Sequence, residues 1–245
     1  MNLLKRLQEE KQSRLKGGLY HQTQIKLAYN TNRIEGSKLS EEQTRYIYET
    51  NTLVTENGDT TADIDDIVET LNHFTCFDYM LDCADEALSE THIKTFHRLL
   101  KNNTSDAKKA WFKTGDYKTQ PNTVGGMETT LPAQVPTDMQ RLLDAYHEKE
   151  TVTFEDIVDF HFHFERIHPF QDGNGRVGRL IMFKECLAHG IPPLIIKDDL
   201  KFYYYRGLKE YPTVKDFLTD TCRSAQDNYK RMTAYFFPDF DSFEG

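Results

Sequence analysis

The sequence predicts a mainly α-helical fold that carries one small β-hairpin. Apolar residues recur at the helical spacing of three and four residues through most of the chain. Two capping boxes, in which serine or threonine precedes a glutamine or an acidic residue by three positions, mark helix starts. One stretch, residues 111–135, breaks the helical pattern with glycines, prolines and short extended pieces. A hydrophobic fraction of 38% over 245 residues is enough for a substantial core.

The N-terminal part of the chain is predicted to hold two helical segments. The first covers about residues 3–29, with Gly17 and Gly18 as a joint. Ser40 and Gln43 form a capping box that begins a helix through about residue 50. The polar residues 55–61 are expected to form a loop.

Two more helices are predicted before the irregular stretch. One covers about residues 62–87, and the other begins after Ser89. The apolar positions of the first are expected on its buried side: Ile64, Ile67, Val68, Leu71 and Phe74.

The stretch 111–135 is predicted to be a β-hairpin or loop on the helical body. Its extended pieces are residues 117–119 and 122–124. Pro121 has no N–H, so it must lie off the pairing edge or at the turn.

Helices are predicted again in the second half of the chain. One covers about residues 137–148, and another covers 154–167 after the capping box of Thr153 and Asp156. A final helix reaches about residue 235, and the tail from residue 238 is expected to be mobile.

Charge and cysteine spacing exclude several classes of protein. The net charge of −9 and a pI near 5.5 argue against a general surface for nucleic acid or anionic membranes. Neither a signal core nor a run of membrane-spanning length is found, so a cytoplasmic location is expected. The cysteines lack C-x-x-C spacing and are expected to be reduced core residues: Cys76, Cys83, Cys186 and Cys222.

Residues 168–179, which read HPFQDGNGRVGR, combine groups that suit a phosphate site. Gly173 and Gly175 can turn the chain sharply and bring backbone N–H groups close to an anion. A helical pattern follows from Arg176 and stops at Gly190, so the turn is a predicted helix N-terminus, which favours a bound phosphate.

Charged and titratable groups flank this turn. Arg176 and Arg179 are three residues apart on one helix face, so both guanidinium groups can reach successive phosphates. Asp172 suits Mg²⁺, which uses one or two carboxylates together with phosphate oxygens and water. His168, neutral near pH 7, can take a proton from an incoming hydroxyl, and Pro169 restricts the backbone that presents the ring.

This run resembles the Fic signature, H-x-F-x-[D/E]-G-N-G-R-x-x-R, with every fixed position filled. The resemblance implies a helical bundle with a small hairpin flap, and transfer of AMP from ATP to a protein hydroxyl with release of pyrophosphate. It makes His168 the general base and Asp172 the ligand of Mg²⁺, with Mn²⁺ as an alternative ion. It also implies an anion hole and two clamps on the β- and γ-phosphates: Gly173, Asn174 and Gly175, and Arg176 and Arg179 respectively.

An upstream segment resembles the Fic inhibitory motif, [S/T]-x-x-x-E-[G/N], through Thr31, Glu35 and Gly36. Taken alone, the pattern is also that of a helix C-terminus ended by Gly36. The resemblance implies that Glu35 pairs with Arg179 and prevents the in-line arrangement of the ATP phosphates. Because the same glutamate can orient water for removal of AMP, addition and removal both stay open.

The resemblance also places a flap at about residues 115–126 that accepts a target segment by strand addition. The flap residues expected over the nucleotide are Asn122, Thr123, Val124 and Gly125. Tyr204 and Tyr205 resemble the pair that lines the adenosine pocket. A surface hairpin without contacts and simple core packing are the respective alternatives. Neither arginine touches the base, so UTP or GTP also remain open.

Three other interpretations fit parts of this sequence. Gly173-x-Gly175-x-x-Gly178 spells a dinucleotide fingerprint, but it follows a helix rather than a strand. A metallohydrolase would use His161, His163 and His168 with Asp172, yet helix residues two apart point in divergent directions. A non-enzymatic Fic-like binding module is expected to have a degraded signature, and this one is intact.

The chain is divided on this basis into an N-terminal region with the inhibitory motif (1–60), a Fic core (61–190) and C-terminal helices with a tail (191–245). The expected partners are ATP and a target protein docked on the flap, with self-modification and a homodimer as family-level expectations. Neither nucleic acid nor a membrane is expected as a partner.

Overall fold

The computed structural model describes residues 2–54 and 61–238, and over these ranges it shows ten α-helices and one two-stranded antiparallel sheet. The mainly α prediction with one small hairpin is confirmed. The predicted loop at 55–61 lies outside the described residues except for residue 61, and so does the tail from 238 except for residue 238. The helices are α1 (Leu3–Ser13), α2 (Leu19–Ile34), α3 (Glu41–Thr50), α4 (Ile64–Asp82), α5 (Glu90–Leu100), α6 (Val135–His147), α7 (Phe154–Ile167), α8 (Asn174–Ala188), α9 (Lys201–Glu210) and α10 (Asp216–Phe236).

The predicted joint between the first two helices is confirmed, and α2 runs further than predicted, to Ile34. Gly18 precedes α2 and gives it no side-chain cap. Instead the buried carboxylate of Glu10 in α1 accepts the Tyr20 backbone N–H at 2.8 Å. An acidic group at a helix N-terminus satisfies an unpaired donor and the helix dipole, so α1 fixes the start of α2.

The predicted caps form as expected. Both capping boxes are complete, at the start of α3 and at the start of α7. The Ser89 hydroxyl accepts the His92 backbone N–H and begins α5. These helix starts are marked by residues three positions apart in the sequence.

The predicted buried face of α4 is wrong at two positions. Ile64 is 74% exposed and Leu71 is 38% exposed, whereas Phe74 is buried. Ile64 is the first helical residue, so its side chain leans toward the N-terminus beyond the packed turns. The buried stripe passes through the polar residues Thr70 and His73, which hydropathy alone does not select.

The hydrophobic core is shared between distant parts of the chain. Its largest cluster joins α1 and α2 with α4 to α8 and reaches Tyr229 in α10. A second cluster joins α7, α8, α9 and α10. All four cysteines are free and buried, as predicted. Within residues 2–54 and 61–238, none of the helices combines the length and apolar character needed to span a bilayer.

The hairpin is shorter than the predicted flap and lies nearer the C-terminus. Strand β1 (Thr123–Val124) pairs with β2 (Met127–Glu128), and Gly125 and Gly126 form the turn at φ of 56° and 79°. The predicted extended piece 117–119 is no strand, because its Lys118 N–H is bonded to the Pro169 carbonyl at 2.8 Å. Pro121 precedes β1 and lies off the pairing edge, as predicted.

Candidate active site

His168 ends α7 in a left-handed conformation. Its φ and ψ are 51° and 62°, a region that non-glycine residues seldom adopt. The conformation lets its N–H donate to the Phe164 carbonyl at 2.9 Å and turns the chain out of the helix. The imidazole is thereby presented from the rigid end of a buried helix.

The loop after His168 is anchored by Phe170. This ring is fully buried and stacks on His97 of α5, with 4.0 Å between centroids and 6° between planes. The Asn174 side chain bonds both backbone groups of Phe170, accepting its N–H at 2.8 Å and donating to its carbonyl at 2.9 Å. The signature loop is therefore held by ring stacking on α5 and by two hydrogen bonds to Asn174.

The predicted glycine turn and helix N-terminus are confirmed. Gly173 has φ of 82° and directly precedes α8, with no side chain capping the first N–H groups of that helix. A Cβ on Gly175 would overlap the Glu35 carboxylate and come within 2.9 Å of an Arg179 guanidinium nitrogen. A larger residue there would have to displace the Glu35 carboxylate, which lies beside the first turn of α8.

The expected pairing of Glu35 with Arg179 is present. Arg179 Nη2 donates to Glu35 Oε1 at 2.6 Å and to the Thr31 carbonyl at 3.1 Å, and Nε donates to Thr31 Oγ1 at 2.5 Å. Arg179 is 4% exposed. Burial opposes its charge, but the Glu35 carboxylate together with Tyr204 and Glu165 outweighs burial and raises the pKa of Arg179. Gly36, with φ of 106°, follows the C-cap of α2 and turns the chain away from that helix.

Arg176 pairs with a different set of side chains from Arg179 in this structure. It pairs with Glu69 of α4 and with Asp172 Oδ2. Buried Lys101 completes this network, at 2.6 Å from both carboxylates. Side chains three apart on a helix differ by about 60° in direction, and here α4 captures one while α2 captures the other.

A cavity of about 490 Å³ opens between the hairpin, α2, the end of α7, the start of α8, and α9. Of the predicted site residues, it is lined by Glu35, Val124, Gly125, His168, Gly175, Arg179, Tyr204 and Tyr205. The predicted residues that do not line it are Thr31, Gly36, Asn122, Thr123, Asp172, Gly173, Asn174 and Arg176. A larger groove of about 1140 Å³ runs beside α1, α2 and α3, away from the signature.

The two tyrosines differ in accessibility. Tyr204 is 1% exposed, and its hydroxyl bonds His161 Nε2 at 2.7 Å. Tyr205 is 41% exposed and donates to the Ile34 carbonyl at 3.3 Å. Tyr205 therefore offers the ring face that a ligand in the cavity can reach. The Tyr204 hydroxyl instead accepts a hydrogen bond from Arg179 Nη1 at 3.5 Å.

Two titratable side chains with shifted pKa values line this cavity, His168 and Glu165. Burial, helped by the charge of Lys118, lowers the pKa of His168 to about 4, so its ring is neutral near pH 7. Burial raises the pKa of Glu165 to about 8, although Arg179 opposes the shift. Sequence reasoning missed Glu165, although it lies only three residues before His168 and lines the same cavity.

The donor set fits a magnesium ion that is held mainly by phosphates. The side chain of Asp172 is 49% exposed, so a ligand can reach it. Burial opposes its ionisation, but Arg176 and Lys101 outweigh this and lower the pKa of Asp172. One ionised, accessible carboxylate is what Mg²⁺ needs beside a nucleotide.

The geometry disfavours the metallohydrolase alternative. His161 is buried against Tyr204, whereas His163 faces the other side of α7 and lies 3.5 Å from Asp159. His168 lines the cavity that His163 does not reach. In the part of the chain with described coordinates, no three His, Cys, Asp or Glu side chains gather in a way that could hold a metal ion.

Comparison with known proteins finds similarity to Fic proteins. Residues 87–186 match the model of the Fic/DOC family. A relative named protein adenylyltransferase fic-1, from Caenorhabditis elegans, is 26% identical over 78% of this chain and 37% of its own length. A Drosophila ananassae relative named protein adenylyltransferase Fic is 28% identical over 74% and 35% respectively. The chain thus spans little more than a third of these relatives.

Solved structures show the same fold. A Fic domain containing signaling protein from Bacteroides thetaiotaomicron superposes with a TM-score of 0.73 at 23% identity, over 94% of this chain and 93% of the other. Fic-1 from C. elegans (residues 134–508) gives 0.71 at 20% identity, over 96% and 72%. These structures and this chain share one fold, and the predicted Fic fold is confirmed.

Proposed function

We propose that this protein transfers AMP from ATP to a hydroxyl side chain of a target protein, and that Glu35 restrains the transfer. One observation carries the proposal. His168 and Arg179 line a single cavity at the N-terminus of α8, and Glu35 holds Arg179 there at 2.6 Å. The names of the curated relatives support the same reaction.

The chemistry follows from the groups around the cavity. The free N–H groups of α8 and its helix dipole favour the phosphates, and Arg179 binds the terminal phosphate. The hydroxyl oxygen of the target forms a bond to the α-phosphorus while the bond to pyrophosphate breaks. His168, neutral in this site, takes the hydroxyl proton. Asp172 would hold Mg²⁺, which neutralises phosphate charge when bound.

The remaining signature residues act around this centre in the proposal. Gly173, Asn174 and Gly175 shape the anion hole, and Val124, Gly125 and Tyr205 cover the nucleoside. Arg176 reaches the β-phosphate only after leaving Glu69, because it is buried and paired in the present arrangement. ATP binding therefore involves rearrangement on the α4 side.

Restraint by Glu35 needs no exclusion of ATP. The carboxylate occupies one guanidinium nitrogen of Arg179, and Thr31 accepts bonds from the same side chain. A terminal phosphate that cannot reach Arg179 leaves the α-phosphorus out of line with the attacking hydroxyl. Glu35 also lies in the cavity with His168, so removal of AMP through an oriented water is the second candidate function.

The hairpin is the proposed docking edge for the target. Val124 and Met127 are each 40% exposed beside the cavity, and strand addition at this edge brings a target hydroxyl toward His168. Self-modification, a homodimer and a cytoplasmic location stay predictions from the sequence.

Intact-protein mass spectrometry tests the proposal. Wild type, Glu35→Gly and His168→Ala are incubated with Mg²⁺ and each nucleoside triphosphate, with His163→Ala as the matched control on the same helix. We expect an added mass of AMP with ATP, larger in Glu35→Gly, absent in His168→Ala and unchanged in His163→Ala. A candidate target peptide that carries serine, threonine or tyrosine is included, since self-modification is not required. Absence of adducts on protein and peptide from every variant rejects the reaction.

A further inference from the structure

Lys118 lies between the hairpin and the signature loop. Its backbone N–H donates to the Pro169 carbonyl at 2.8 Å, and Asn122 Nδ2 donates to the Phe170 carbonyl at 3.3 Å. The segment before the hairpin is thus attached along the residues that directly follow His168.

The ammonium group of Lys118 joins three structural parts. It donates to Asn122 Oδ1 at 2.8 Å, to Thr129 Oγ1 at 2.6 Å and to the Ile167 carbonyl at 3.4 Å. Asn122 precedes β1 and Thr129 follows β2, so both ends of the hairpin are held. Ile167 is the last residue of α7, where carbonyls lack helical partners and the dipole favours a cation.

The absence of an acidic partner distinguishes Lys118 from the other buried lysines. Lys101 has three carboxylate partners and Lys184 has Glu185, whereas Lys118 is 3% exposed and bonds only to neutral oxygens within the described ranges. Burial lowers the pKa of Lys118 to about 8. Keeping an unpaired ammonium here costs stability, and stability alone gives no reason for it.

We propose that Lys118 is a positioning residue for His168: its ammonium group fastens both ends of the hairpin to the end of α7 and so fixes the imidazole in the cavity. This inference rests on the proposed transfer reaction and adds a residue to it. The positive charge has a second consequence, since after burial it is the largest influence that disfavours a proton on His168. The base is thus kept free to accept the proton of the target hydroxyl.

Several charged groups surround His168 and must be held constant in a test. The Glu165 backbone, Glu35 and Asp172 oppose Lys118 by favouring the protonated ring. The other charged side chains that line the cavity are Arg166, Arg179 and Lys209.

The test compares Lys118→Met, Lys118→Arg and a matched control, Lys113→Met, in which an exposed lysine of the same segment is changed. All are made in the full chain with Glu35→Gly, so that the restraint does not mask the rate. The ¹⁵N resonances of the histidine rings are followed against pH, and His168→Ala assigns the signal. The pH dependence of AMP transfer is measured in parallel.

We expect Lys118→Met to raise the titration midpoint of His168 by about half a pH unit or more and to move the acidic limb of the rate profile equally. Its rate at pH 7 falls about tenfold, with the KM for ATP changed less than about threefold. Lys118→Arg and Lys113→Met keep the original midpoint. An unmoved His168 midpoint in folded Lys118→Met overturns the proposal. Since the ring titration needs no turnover, it decides this point even when transfer itself is absent.

Thr129→Val keeps the inference testable when Lys118→Met does not fold. It removes one acceptor of the ammonium group and leaves the charge in place. Slower transfer with an unchanged His168 midpoint supports positioning by the hairpin contact. A rate within about twofold of the parent overturns it.

Discussion

Replacing Glu35 by glycine removes the carboxylate that holds Arg179 and leaves the Thr31 contacts in place. Glu35 is the C-cap of α2, a position at which its backbone already departs from helical geometry, so glycine is tolerated. The side chain is 30% exposed, while that of Arg179 is 4% exposed. The substitution therefore changes the resting contact of Arg179 with little loss of packing.

The size of the effect follows from the bond that is lost. The contact is a charge-assisted hydrogen bond at 2.6 Å, and bonds of this kind contribute about 1.5 to 3 kcal/mol. Since each 1.4 kcal/mol is tenfold, freeing Arg179 should raise the rate of AMP transfer by about 10- to 150-fold. Glu35→Gln keeps the shape with a weaker neutral acceptor, so we expect a smaller increase.

Incorporation of label from [α-³²P]ATP into protein measures this rate. Glu42→Gln, which removes an exposed carboxylate from the neighbouring helix α3, is the control and should match wild type. Thermal unfolding checks that the variants are folded. Transfer by Glu35→Gly within about twofold of wild type, while His168→Ala abolishes it, would refute restraint by this contact.

Three further predictions concern stability. Burial raises the folded pKa of Glu165 to about 8, so the stability that its protonated form contributes is present below pH 4.5 and is lost as pH rises through 8. Between pH 5 and 9, the free energy of unfolding of Glu165→Gln should therefore increase relative to wild type by on the order of 4 kcal/mol in urea. Parallel plots of unfolding free energy against pH for the two proteins contradict this. Gly178→Ala should cost about 1 to 2 kcal/mol, since a Cβ would lie 2.8 Å from Glu165 Oε1, and a more stable variant counts against that contact. Lys101→Met should cost about 3 kcal/mol in the same assay, and a loss below about 1 kcal/mol disproves the importance of its network.

The parts of the site that sequence reasoning recovered are those set by local chemistry. The glycine turn before α8 needs φ of 82° at Gly173, and that requirement is visible in the residue type. The capping boxes act over three residues and are equally visible. The contact of Glu35 with Arg179 spans 144 positions, and only the family resemblance of both motifs predicted it.

Other features were missed or misplaced because they depend on distant partners. The flap was predicted too early in the chain, since the bond from Lys118 to Pro169 replaces strand pairing there. Arg176 pairs with Glu69 of α4 and Arg179 pairs with Glu35 at the end of α2, and no local pattern shows either partner. Glu165 lies three residues before His168. Its raised pKa comes from burial, which no local pattern shows.

The sequence by itself determined a mainly helical chain with a complete Fic-like signature, a glycine turn at a helix N-terminus, a histidine beside it and an upstream glutamate, because glycine geometry, caps and motif spacing are properties of neighbouring residues. The tertiary structure decided which groups meet. The Glu35 carboxylate lies against the first turn of α8, and Arg176 pairs with Glu69. Lys118 is buried near His168 and bonds to neutral oxygens. Those contacts depend on how the helices pack, and packing is a property of the whole core.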